Sequence, residues 1–111
     1  GLSDAAARSV ALGAGTALLA TIIGLPVGRA LAGLRGWRRH VGAALAFIPV
    51  AAPPMALAIG VQLVFLRLGL GGTLPGVLLS HVVPASGYLA LYFLGVFAAH
   101  DPGPEEEART L

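Results

Sequence analysis

A chain of 111 residues that is 57% hydrophobic and only 11% charged, with a mean hydropathy of +0.87, lacks the polar surface that a soluble globule of this size needs. A net charge of +2, spread over basic residues that flank apolar runs, argues against a nucleic-acid partner. The absence of cysteine rules out disulfides, thiolate chemistry and cysteine-held metals.

The charges leave long gaps. No charged residue stands between Arg8 and Arg29, between Arg39 and Arg67, or from Leu68 to His100. Such gaps suit a lipid bilayer, so an all-α membrane protein with three transmembrane helices is expected. The start at Gly1, with no initiator Met and no basic segment before a short apolar one, reads as an excised segment rather than a signal peptide.

The first helix is expected over residues 4–33, with Ser3 and Asp4 available to cap it. Its uncharged stretch, Val10 to Gly28, matches the roughly 20 residues that cross a hydrocarbon core. Thr16, Ala20, Gly24 and Gly28 recur at every fourth position, a spacing that lets a second helix backbone approach closely. The connection over residues 34–40 follows, carrying Arg35, Arg38, Arg39 and an interfacial Trp37, with Arg29 just before it.

The second helix, residues 41–68, holds Pro49, Pro53 and Pro54. Two adjacent prolines remove two backbone donors and disfavour helix before them, which predicts a break near residues 50–54. A second small-residue face, Ala52, Ala56 and Gly60, lies on this helix. The turn Arg67–Gly72 reverses the chain, and the third helix, residues 73–100, is predicted to kink at Pro84.

Arginines set the expected orientation. The first connection is rich in them and the second has only Arg67, so residues 34–40 and the C-terminus are placed in the cytoplasm. The proline interruptions of the second and third helices then both fall about 17–18 Å deep, near the midplane. Irregular backbone at that depth is tolerated where protein or a water-filled cavity satisfies it, and interrupted helices meeting there line many transport pathways. Pro49, Pro53, Pro54, Ser80, His81, Pro84 and Ser86 are therefore candidates for a translocation pathway or gate.

His81 and His100 stand nearly 30 Å apart along one helix and cannot share a metal, so no metal site is expected. Ser86 after His81 suggests an intramembrane serine hydrolase, but Pro84 occupies the place of a nucleophile-elbow residue. No glycine loop cradles a phosphate, and neither a catalytic residue nor a cofactor is expected.

The final stretch, "DPGPEEEARTL", offers Asp101 as a cap, Pro102 and Pro104 for a first helical turn, and Glu105, Glu106 and Glu107 at the positive end of the helix dipole. A cytoplasmic helix is expected from about residue 103. This stretch, after "SHVVPASGYLALYFLGV", resembles the EAA loop of integral-membrane permease subunits of binding-protein-dependent ABC importers. Glu106 takes the Glu position, Glu107 departs from the first Ala and Ala108 matches the second. Arg109, Thr110 and Leu111 match the approach to a Gly that would follow. "GLPVGRALAGLRGWRR" and "FIPVAAPPMALAIGVQLVFLRLGLGGTLPGVLLSH" come in the family's order, so the resemblance covers the whole chain.

That resemblance implies a fragment of a methionine-importer-like permease core ending inside the EAA motif. It implies a bacterial inner-membrane location, with Glu105, Glu106, Glu107, Ala108 and Arg109 contacting an ATP-binding cassette ATPase subunit. A second permease subunit or fused half and a periplasmic solute-binding protein are the other implied partners, with ATP hydrolysed on the separate subunit. The alternative is an ATP-independent polytopic transporter or helix-packing subunit. It predicts an intramembrane carboxylate, and the three spans carry none.

Overall fold

The computed structural model describes residues 1–100, which form four α-helices in the order α1 Leu2–Gly33, α2 Trp37–Ala51, α3 Pro54–Arg67 and α4 Leu74–Ala99. The coupling helix expected from about residue 103 lies outside the described residues. α1 and α4 are each long and apolar enough to cross a membrane, and α2 with α3 makes a third such element, bent by 94° at its break.

α1 and α4 form the spine of the fold, and they run parallel. Gly15 lies beside Leu78, Gly24 beside Leu89 and Ala90, and Gly28 beside Phe93 and Leu94, so positions rise together along both helices. The close approach rests on Gly24 and Gly28 of α1, both buried and facing Ala90 of α4, with Ala20 buried one turn earlier. In lipid, where apolar surface gains nothing from leaving water, such backbone proximity is what holds helices together.

Because α1 and α4 are parallel, the chain must return from the end of one to the start of the other. α2 and α3 make that return. Residues 34–40 are not a loop, as the arginine-rich composition suggested. Only Leu34, Arg35 and Gly36 separate α1 from α2, and Trp37 to His40 form the first turn of α2. Gly36, at φ 63°, takes a left-handed conformation that makes so short a turn possible. Arg39 fastens it, donating from Nε to the Leu34 carbonyl at 2.9 Å and from Nη2 to the Ala32 carbonyl at 2.6 Å. These bonds serve two of the carbonyls that the end of α1 leaves without helical donors.

α2 continues through Pro49 and ends at Ala51, with the Ala52 N–H bonded to Ile48. Pro53 caps α3 and Pro54 opens it, so the break falls where the paired prolines place it. α3 closes in a Schellman motif: Leu70 N–H reaches the Phe65 carbonyl and Gly69 N–H the Leu66 carbonyl. Thr73 then caps α4, its Oγ1 accepting from Gly76 N–H at 3.1 Å. α4 is helical without interruption through Pro84.

Among the described residues the buried hydrophobic core is thin, comprising Ala20, Leu31, Val82 and Ala90. Large apolar side chains such as Leu18, Ile22, Leu45, Ile48 and Leu63 face outward. A protein solvated by water would not leave so much apolar surface uncovered, whereas one solvated by lipid would.

Candidate functional site: a cleft between the broken helix pair and α4

The bend between α2 and α3 opens a cleft of about 530 Å³ against α4. Two features shape it. Gly87 brings α2 against α4 just before the break: a Cβ there would stand 2.5 Å from the Ala46 carbonyl oxygen and 3.5 Å from Pro49 Cγ. The sharp bend then swings α3 aside, so beyond Gly87 the walls part.

Five of the candidate pathway residues, Pro49, Pro54, Ser80, His81 and Pro84, line this one cleft. Pro53 sits at the break but outside the lining, and Ser86 also lies outside it. Ser86 Oγ donates to the Val83 carbonyl at 2.9 Å and Ser80 Oγ to the Val77 carbonyl at 2.6 Å, so both hydroxyl hydrogens are used within α4. A five-residue step turns Ser86 about 140° around the helix from His81.

The prolines also alter the backbone of the cleft. Pro84 denies the Ser80 carbonyl its helical donor, and Pro53 and Pro54 deny theirs to the carbonyls of Pro49 and Val50. Ser80, Pro49 and Val50 all line the cleft. Backbone acceptors without a helical donor in apolar surroundings call for water or a neighbouring helix.

Two lining residues escaped the sequence reading. Gln62, the chain's only carboxamide, reaches the cleft from α3, and Tyr88 from α4. A lone polar side chain in an apolar helix was the available signal for Gln62. His81, Pro84 and Tyr88 also line a second, more open groove between α1 and α4, together with Ser9 and Thr16. One face of α4 thus borders both spaces.

The remaining candidates are placed as follows. Gly24 and Gly28 form the α1–α4 contact described above, and Ala20 is buried one turn earlier. Ala56 and Gly60 are exposed on α3, and Gly60 has nothing within 4 Å of an added Cβ, so within the described residues this small-residue face packs against nothing. Glu105, Glu106, Glu107, Ala108 and Arg109 lie outside the described residues. His40 Nδ1 lies 2.8 Å from the Gly36 carbonyl, which makes that nitrogen the donor.

No known protein family, curated protein or solved structure matches this chain.

Proposed function

We propose that the chain is part of the membrane-spanning permease subunit of an ABC importer. In this reading a small solute crosses into the cytoplasm by alternating access, driven by ATP hydrolysed on a partner subunit. The observation that carries this reading is the cleft. A helix pair broken by 94° faces a proline-bearing helix, and the polar groups of both turn up in one space. A discontinuous helix pair bordering such a space is an element from which solute pathways are built.

The topology supports the same reading. α4 ends at the same end of the molecule as the arginine-rich turn, because α1 and α4 are parallel. The EAA-like stretch follows α4 directly in sequence. A force applied to that stretch by a closing ATPase would act along α4, whose face borders both the cleft and the groove. Glu105, Glu106, Ala108 and Arg109 are the proposed contacts, within a methionine-importer-like core completed by further helices and a second permease half.

Purification in detergent tests this. The expected result is an ATP-binding cassette ATPase, identified by mass spectrometry and by its ATP hydrolysis, that copurifies with the protein and is lost in Glu106→Lys. If no such ATPase accompanies the protein, or if the Glu106→Lys protein retains it, the coupling assignment fails.

A further inference from the structure

The end of the molecule where α1 meets α2 gathers Arg29, Arg35, Arg38 and Arg39 between positions 29 and 39, three of them exposed. Their commitments differ. Arg39 is held by the Ala32 and Leu34 carbonyls and shapes the turn. Arg38 lies 5.8 Å above the Trp37 ring, which is itself 71% exposed. Neither Arg29 nor Arg35 has a carboxylate partner among the described residues, where the sole carboxylate, Asp4, pairs with the N-terminal amine at the opposite end of α1.

Their depth matters as much as their charge. Arg29 follows directly on the uncharged stretch of α1 that matches a hydrocarbon core, so its guanidinium stands at the boundary of that core. Trp37 is suited to the same layer. A guanidinium fork at headgroup depth, beside an indole, matches the phosphate of a lipid in geometry and in sign.

We infer that this turn is a binding site for anionic phospholipid, in which Arg29, Arg35 and Arg38 hold the headgroup phosphate and Trp37 lies against the upper part of the acyl chains. Arg39 is not a ligand here. It positions the others by fixing the three-residue turn. Each arginine near an anionic leaflet contributes on the order of a fivefold preference. The inference does not depend on the transport reading, because it needs only that α1 spans a bilayer.

Trp37 is the only tryptophan, so its fluorescence reports on this turn alone. The full chain is reconstituted in phosphatidylcholine vesicles containing an equal small fraction of either brominated phosphatidylglycerol or brominated phosphatidylcholine. The expected result is several-fold stronger quenching of Trp37 by the brominated anionic lipid. That preference should shrink in Arg35→Gln, vanish in the Arg29→Gln, Arg35→Gln, Arg38→Gln triple variant and persist in Arg8→Gln. It should also survive millimolar inorganic phosphate. Equal quenching by the two lipids overturns the proposal, as does a preference untouched in both the single and the triple variant. Abolition by inorganic phosphate would mean that the site takes soluble phosphate and not lipid. A preference seen only after Glu105, Glu106 and Glu107 are all changed to Gln would mean that the chain's own acids occupy the arginines, and the proposal would fail.

Discussion

Gly28 of α1 touches the backbone of α4 at Ala90. A Cβ at position 28 would stand 2.7 Å from the Ala90 carbonyl oxygen and 2.6 Å from Phe93 Cβ, distances that real atoms do not share. Gly24, one turn earlier, meets Leu89 Cβ at 2.7 Å in the same way. The parallel pair is therefore set by two positions at which only hydrogen fits.

Gly28→Leu should force α1 and α4 apart and cost about 1–3 kcal/mol or more. Unfolding in mixed micelles with increasing denaturing detergent would measure it. Gly13 and Gly33 have nothing within 4 Å of an added Cβ, so Gly13→Ala and Gly33→Ala serve as controls that should change stability little or raise it slightly. Equal losses at Gly28 and Gly13 would refute the close approach.

Arg39 holds the turn between α1 and α2. Arg39→Gln removes both charge-assisted bonds to Ala32 and Leu34. The loss should be about 1 kcal/mol, given that the guanidinium is only partly buried. Arg39→Lys should recover only part of it, because one ammonium cannot reproduce a planar fork. Arg38→Gln, measured in the same uncharged detergent, should leave stability close to that of the parent. If Lys restores the full value, the fork geometry is irrelevant.

How far these features were legible in the sequence depended on whether their cause is local. Pro53 and Pro54 break a helix wherever they stand, and the break falls at them. Gly24 and Gly28, which meet the backbone of α4, are among the positions that the four-residue spacing of small side chains marks. The same spacing at Ala52, Ala56 and Gly60 meets no partner within the described residues, because it shows that a face can be approached, not what approaches it. An arginine-rich composition over residues 34–40 predicts a connection there, yet α2 begins at Trp37. Arginine is a good helix former, and the chain turns in three residues at Gly36. Gln62, Tyr88 and Gly87 matter only once α3 and α2 face α4, which is a tertiary fact.

The bend itself invites a distance measurement. Spin labels at Val41→Cys and Leu66→Cys would stand about 38 Å apart along one straight helix and about 26 Å apart across a near-right-angle bend. The parent should give the shorter distance. Replacing both prolines, Pro53→Ala with Pro54→Ala, restores the donors that the carbonyls of Pro49 and Val50 lack, and a population near the longer distance should appear. Should the distance stay short in the double variant, packing at Gly87 rather than the prolines holds the bend.

Solvent access to the cleft decides whether its open carbonyls are hydrated. The chain has no native cysteine, so single cysteines can be placed without background. In membranes, Gln62→Cys and His81→Cys should react with a charged, water-soluble thiol reagent, because both side chains line the cleft. Ile22→Cys should react at least tenfold more slowly, although Ile22 is 58% exposed, because its surroundings are hydrocarbon and the thiolate that reacts is costly to form there. Ser86→Cys, outside the lining, should fall nearer to Ile22 than to Gln62. Reaction at Gln62 no faster than at Ile22 would mean a dry cleft. The carbonyls of Ser80, Pro49 and Val50 would then have to be satisfied by protein, and a solute pathway through this space would be excluded.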